Sequence, residues 1–101
     1  MAGSRLDEFA EKAVRKSGEE YYFDRAVTLD IIARCENEKI TIYGIDGALI
    51  ENGDIHEPID AILVLGNDPQ AYAEARKHVT RDEYSNLVWC LTLDNDPNET
   101  A

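Results

Sequence analysis

Two stretches near the start of the chain carry apolar residues at helical spacing. The first stretch lies between Ser4, which can cap a helix, and Gly18, which can end one. Its apolar stripe consists of Leu6, Phe9, Ala10, Ala13 and Val14. The pattern predicts a first helix over residues 5–17.

A second helix is predicted after Asp24 or Thr28, either of which can act as its cap. Its buried face would consist of Val27, Ile31, Ile32 and Cys35, and its end would fray near residues 36–38. The connection between the two helices, residues 19–23, carries three adjacent aromatic residues, Tyr21, Tyr22 and Phe23. Such a group is typical of core packing between helices, and a ligand-stacking site is the alternative.

Strand periodicity follows in the middle of the chain. Residues 40–45 are apolar on both faces, which is typical of a central strand. Asp46-Gly47 and Asn52-Gly53 are both hairpin-type dipeptides, and the stronger Asn-Gly signal favours a tight hairpin at Asn52-Gly53. The residues between the two dipeptides form either a short second strand or a continuation of the first one past a bulge.

The last third of the chain predicts a strand, a helix and a strand. Residues 61–65 indicate a short buried strand, with one helical turn as the alternative. Asn67 or Asp68 can cap the next helix, with Pro69 in its first turn. Residues 86–93 form a second central strand, in which Trp89, like Tyr43 in the earlier strand, is expected in the core.

The predicted element order is therefore helix, helix, strand, strand, strand, helix, strand. It predicts an α+β fold in which about three helices pack on one face of a small, mainly antiparallel sheet of three to four strands. A chain of 101 residues has room for one such domain. We assign residues 1–93 to it and predict a flexible acidic tail over residues 94–101.

Acidic residues are unevenly placed along the chain. The net charge is −11, and residues 40–101 contain twelve acids and three bases. No Lys or Arg occurs between Lys39 and Arg76. This balance argues against nucleic acid and anionic membrane as partners, because both require a basic face. A basic protein or a cation fits, and solubility alone is the competing explanation.

The compartment is expected to be the cytoplasm. The N-terminal residues lack the apolar core of a signal peptide, and no apolar run approaches the length of a membrane span. Cys35 and Cys90 fit no metal-binding spacing, so we predict reduced cysteines in the core.

Motifs that carry catalytic or metal chemistry are missing from the sequence. It contains no HExxH, Walker A, GxSxG or dinucleotide-binding pattern. His56 and Glu57 are neighbours on an extended chain, so their side chains would point to opposite faces. Asp54, His56, Glu57 and Asp60 do not follow the calcium-loop pattern. We therefore predict a binding protein without a catalytic residue, metal or cofactor.

One segment resembles a pattern found in small bacterial immunity proteins of polymorphic or contact-dependent toxin systems. A strand ending in Gly44-Ile45-Asp46-Gly47 is followed by Ala48, where an aromatic residue would be expected. A turn comes next, and then residues 55–62, which read Ile-His-Glu-Pro-Ile-Asp-Ala-Ile. After this segment, a helix and a final strand close the domain, as they do in such proteins. The likeness covers about residues 25–93.

The resemblance implies an immunity protein that binds and neutralises a cognate toxin in bacterial competition. The partner would be a basic protein such as a nuclease, met by carboxylates in place of phosphates. The predicted partner-binding residues are those of the base-free stretch: Asp46, Glu51, Asp54, His56, Glu57 and Asp60.

Two other functions fit parts of the pattern. A phage-type inhibitor that mimics DNA and blocks a restriction or CRISPR effector would use the same carboxylates, spaced like phosphates along a longer face. A small enzyme or ligand-binding domain would instead have a pocket near residues 21–23, His56 and Trp89.

Overall fold

The computed structural model describes residue 9 and residues 11–17, 20–58, 61–65 and 69–93. In chain order, its elements are β1 (Arg15–Ser17), β2 (Glu20–Tyr22), α1 (Arg25–Glu38), β3 (Ile42–Glu51), β4 (Asp54–His56), β5 (Ile62–Val64), α2 (Ala71–Val79) and β6 (Val88–Leu93). The predicted tail, residues 94–101, lies outside the described residues.

Helix α1 is capped at both ends by residues next to it in the sequence. The Asp24 side chain accepts a hydrogen bond from the Val27 backbone N–H at 2.9 Å, which confirms the predicted cap. At the other end, Lys39 adopts the left-handed conformation (φ 59°) and its N–H bonds the carbonyls of Cys35 and Glu36. The buried face is Thr28, Ile31, Ile32 and Cys35, close to the predicted stripe.

Strand β3 organises the sheet, because it pairs antiparallel with β4, β5 and β6. Residues 44–46 pair with β5 and also with β6, so these two strands occupy opposite edges of β3. The register with β6 is irregular between Ile42 and Gly44, which is a bulge at Tyr43. Tyr43 is 46% exposed, so the prediction that it lies in the core is wrong.

The hairpin between β3 and β4 confirms the Asn-Gly prediction. Asn52 and Gly53 both have positive φ, 52° and 85°, as a primed two-residue turn requires. Strand β3 runs without interruption through Asp46-Gly47 to Glu51, so Asp46-Gly47 lies within a strand rather than in a turn. The stretch after it continues the first strand.

The predicted first helix is wrong over its last residues, whereas residues 9, 11 and 12 have 3-10 helical conformation. Arg15–Ser17 forms β1, which pairs antiparallel with β2. The backbone N–H of Val14 also donates to the Tyr22 carbonyl at 2.8 Å. Aromatic residues favour strands, and pairing with the segment Glu20–Tyr22 outweighs the helical spacing that precedes it. The connection predicted over residues 19–23 is thus largely a strand.

One residue pair joins this hairpin to the main sheet. Phe23 and Trp89 exchange both of their backbone hydrogen bonds, at 2.8 and 2.7 Å. Strand β2 therefore runs beside β6, and the sheet continues from β1 through β2, β6 and β3 to β5.

Helix α2 is shorter than predicted and packs against α1. Gln70 occupies its N-cap position, so Pro69 precedes the helix, and Asn67 and Asp68 lie outside the described residues. The Arg25 side chain donates to the Val79 carbonyl at 2.8 Å and to the Arg81 carbonyl at 3.0 Å. These bonds tie the start of α1 to the end of α2.

The main core lies between the two helices and one face of the sheet. Its members are Phe23, Ile31, Ile32, Cys35, Ile40, Ile42, Ile45, Ala61, Leu65, Ala71, Ala75, Val79, Tyr84, Leu87, Trp89 and Leu91. The α+β class, the small antiparallel sheet and the helices on one face agree with the prediction. The described chain contains two α-helices rather than three, together with a short 3-10 helix at Asp82–Tyr84.

Candidate functional site

The sheet has a second face, opposite the helices, which we call the open face. Successive residues of a strand point to opposite faces, and paired residues of neighbouring strands share one. Because Ile45 and Trp89 lie in the main core, Asp46 and Cys90 point the other way. A small separate cluster forms there from Tyr22, Ala48 and Cys90, with Ile55 and Val88 packed against it, and among the described residues no helix contributes to it.

Three carboxylates gather around this cluster, from three separate parts of the chain. The Tyr22 hydroxyl donates to Glu57 Oε2 at 3.4 Å. The Cys90 thiol donates to Glu20 Oε2 at 3.8 Å. Asp46 lies beside Cys90 in the β3–β6 register. Two side chains of the small cluster therefore hold the outer carboxylates, and the third comes from the central strand.

Burial and the neighbouring carboxylates raise the pKa values of acidic groups on the open face. Burial, and then the charge of Glu20, raise the pKa of Asp46 above its ordinary value. Burial, followed by the charges of Glu20 and Asp46, raises the pKa of Cys90 to about 12. Burial, followed by Glu20 and Glu57, raises the pKa of Tyr22 to about 12. The thiol and the phenol thus stay protonated at neutral pH and serve as donors to the carboxylates.

Basic side chains do not offset this charge within the described part of the chain. The ion pairs found there join Arg34 to Glu38, Arg76 to Glu36, and Arg81 to Glu83, all of them on or beside the helices. The register places one strand base, Arg15, on the open face opposite Tyr22. Among the described residues it forms no ion pair with the carboxylates of that face.

The predicted partner-binding residues are divided between two sides of the sheet. Asp46 and Glu57 lie on the open face. Glu51 and Asp54 face each other across the β3–β4 hairpin, and His56 lies opposite Leu49. These three exposed residues point to the same side of the sheet as Leu49, which packs against the main core on the helix side.

Asp60 lies outside the described residues. The sequence interpretation missed Glu20, which the structure places next to Cys90. The available signal was the run of Tyr21, Tyr22 and Phe23 directly after Glu20, since aromatic residues favour strands.

Exposed apolar side chains extend the open face beyond the carboxylates. Ile62 and Val64 of β5 pair with Asp46 and Gly44 and so share their face. Ile62 is 41% exposed and Val64 is 82% exposed. The open face therefore consists of an acidic part over β2, β6 and β3 and an apolar part on β5.

The pocket proposed for the enzyme or ligand-binding alternative has its aromatic residues in the core. Phe23 and Trp89 are fully buried, and the Trp89 ring packs edge-on against His78 and Tyr84. His56, in contrast, is exposed on β4. These positions agree with core packing as the role of Trp89.

Among the described residues, no group of three or more His, Cys, Asp or Glu side chains is arranged to hold a metal ion. Neither α1 nor α2 has the length and apolar character of a membrane-spanning helix.

Comparison of the chain with protein-family models finds no matching family. A search of curated protein sequences likewise finds no significant match.

Proposed function

We propose that this protein is an immunity protein, which binds a cognate bacterial toxin and neutralises it through the open face of its sheet. The toxin is a basic protein, and a nuclease with Arg and Lys around its active site fits best. In this proposal the protein acts in the cytoplasm of the cell that it protects. The gathering of Glu20, Asp46 and Glu57 without an ionic partner among the described residues is the observation that supports it.

Holding these carboxylates together works against the folded state. Like charges in proximity repel each other, and burial of Asp46 adds a desolvation cost. The attraction to a cation brought by a partner opposes both of these costs. Complementary charge also speeds encounter, with association rates of about 10⁸–10⁹ M⁻¹s⁻¹ in favourable cases at low salt.

The β3–β4 hairpin offers a second acidic contact. Glu51 and Asp54 are direct neighbours across the ladder, an arrangement that is unfavourable for two carboxylates in the free protein. Both are exposed at the end of the sheet, where a bound toxin can reach them together with His56. In the proposed complex the open face carries most of the binding free energy and the hairpin contributes to steering.

The test is neutralisation of a toxin encoded beside this gene. A triple variant, Glu20→Gln, Asp46→Asn and Glu57→Gln, is compared with a control of the same net charge, Asp30→Asn, Glu74→Gln and Asp82→Asn, all exposed on or beside the helices. We expect the open-face variant to lose protection in a growth assay and the control to retain it. Titration calorimetry should show at least a hundredfold weaker binding for the former, because one buried interfacial charge is worth about 2–5 kcal/mol.

Two outcomes would contradict the proposal. The first is failure of every neighbouring toxin to bind at micromolar concentration. The second is equal weakening by the two triple variants, which would mean that net charge matters rather than the open face. Displacement of DNA from a basic effector by the wild-type protein, without any toxin binding, would favour the DNA-mimic function instead.

A further inference from the structure

Acidic and apolar side chains lie next to each other on the open face. One row across the sheet runs from Cys90 through Asp46 to Ile62, and an adjacent row runs from Thr92 through Gly44 to Val64. Neighbouring strands lie about 4.8 Å apart, so the Asp46 carboxylate and the Ile62 side chain are near neighbours. A partner that reaches one of them also covers the other.

Gly44 leaves a shallow trough over β3 in this face, between the larger residues of β5 and β6. A Cβ at Gly44 would come near one described atom only, the Leu63 carbonyl oxygen at 3.4 Å. Asp46 borders this trough two residues along the strand. Beyond Asp46, the trough ends at Ala48, which is fully buried in the small cluster with Tyr22 and Cys90.

The exposure of β5 indicates that this trough is covered in use. Val64 is 82% exposed and Ile62 is 41% exposed, although both are β-branched residues in a paired strand. Contiguous exposed apolar surface with a polar rim is typical of interaction sites. Here the rim is acidic, so the surface selects a partner with basic groups beside an apolar one.

A second copy of the chain does not fit this surface. A twofold dimer formed through it would bury the acidic residues of both protomers in one interface, in a chain of net charge −11. Phe9, the first described residue, packs against the main core on the helix side, where the Arg34 guanidinium of α1 lies over its ring at 5.9 Å.

We infer that the partner docks through an amphipathic helix that lies along the β3 trough. An apolar stripe of this helix covers Ile62 and Val64, and an adjacent Arg or Lys reaches Asp46. This arrangement adds a helical layer to the uncovered face of the sheet, a common way for a sheet to bury both faces. The inference rests on the proposed function for the identity of the partner, but the surface can be tested without the toxin.

The first experiment uses synthetic peptides and methyl NMR of the full chain. The probe is a helical peptide of about 18 residues, or five turns, with Leu on one face flanked by Arg. Its control has the same composition in an order that leaves no apolar face. We expect saturable shifts of the Ile62 and Val64 methyls with the first peptide only, and about tenfold weaker binding in Val64→Asp, the effect of losing the burial of one Val side chain. Equal shifts with both peptides, or shifts only near the Asn52-Gly53 turn, would overturn the inference.

The second experiment uses a toxin that the wild-type protein neutralises, and it compares substitutions of two exposed valines. Val64→Asp lies on the open face, and Val14→Asp introduces the same charge at a valine that is 50% exposed near β1. Toxin binding should weaken about tenfold in the first variant and stay unchanged in the second. If both valine variants bind the toxin as tightly as the wild type does, while the carboxylate triple variant does not bind it, the helix contact is refuted and the proposed function stands. Peptide binding without any toxin neutralisation would do the reverse.

A last control excludes internal packing as the role of Val64. The thermal unfolding midpoint of Val64→Asp should stay within a few degrees of the wild type, because the side chain is already in contact with water. A large fall would mean that the chain itself covers this residue, and the docking surface would have to be abandoned.

Discussion

The two faces of the sheet differ in how fully they are covered. The helix side is closed: Ile45, Trp89 and Leu91 are almost fully buried beneath α1 and α2. The open side has only a thin apolar cluster around Cys90, surrounded by carboxylates and exposed valine and isoleucine. Since the same strands supply both faces, substitutions one residue apart can alter the core and the open face separately.

Truncation of Trp89 should have the largest effect on stability. Trp89→Ala removes a fully buried ring that packs against His78 and Tyr84, and we expect a loss of about 3–5 kcal/mol in the free energy of unfolding. Val88→Ala, the neighbouring half-buried position on the open face, should cost about 1 kcal/mol or less. Urea denaturation measures both, and similar losses in the two variants would contradict the division into faces.

Two glycines of β3 allow a finer comparison. A Cβ at Gly47 would approach Ala61 Cβ at 2.8 Å and Leu87 Cδ1 at 2.9 Å, so Gly47→Ala should destabilise the protein by about 1–3 kcal/mol. Gly44 faces the trough, and Gly44→Ala should change stability by less than about 0.5 kcal/mol. Thermal melts of the pair decide this. A larger loss at Gly44 than at Gly47 would mean that the trough is filled.

Asp46 should show the smallest effect, with the opposite sign. Its pKa is raised in the folded protein above the ordinary value of 3.8, so the folded state binds the proton more tightly than the unfolded chain does. The ionised carboxylate therefore costs stability, and this cost is absent at low pH and grows as the pH rises from about 3.8 through the folded pKa. Asp46→Asn removes it and should stabilise the protein by a few tenths of a kcal/mol at pH 7.

Denaturant titrations of Asp46→Asn and the wild type at pH 3 and pH 7 check this sign. The stabilising difference should be present at pH 7 and disappear at pH 3. The same variant should weaken toxin binding, so a single substitution would raise stability and lower affinity. A loss of stability at pH 7 would show that Asp46 has a favourable ionic partner in the folded protein.

Features set by neighbouring residues could be predicted from the sequence. Asp24 caps α1 through the N–H three residues later, and Asn52-Gly53 makes its own turn, so both depend on local geometry. The segment around Arg15–Ser17 could not be assigned in this way, because its helical spacing competes with pairing to β2. Pairing gains from the contact of β2 with β6, and that contact is made by residues distant in sequence, Phe23 and Trp89.

The same distinction explains the candidate site. Asp46 and Glu57 could be predicted because they lie in the base-free stretch of the chain. Their separation from Glu51, Asp54 and His56 follows from the pleat of one hairpin, which depends on the strand register. Glu20 joins Asp46 only after β2, β6 and β3 have assembled side by side. Charge counted along a sequence predicts an acidic surface, whereas the sheet decides which of the acidic residues lie together on it.

Strand β3 also has a consequence for synthesis on the ribosome. Its turn partner β4 and its neighbour β5 follow within a few residues, so these pairings can form early in translation. The opposite edge, which pairs from Ile42 to Ala48, waits for β6, and with it for the ring of Trp89. Until residues 88–93 emerge, the nascent chain presents a long unpaired strand edge above an unfilled core. A chaperone that shields this edge would therefore raise the yield of folded protein.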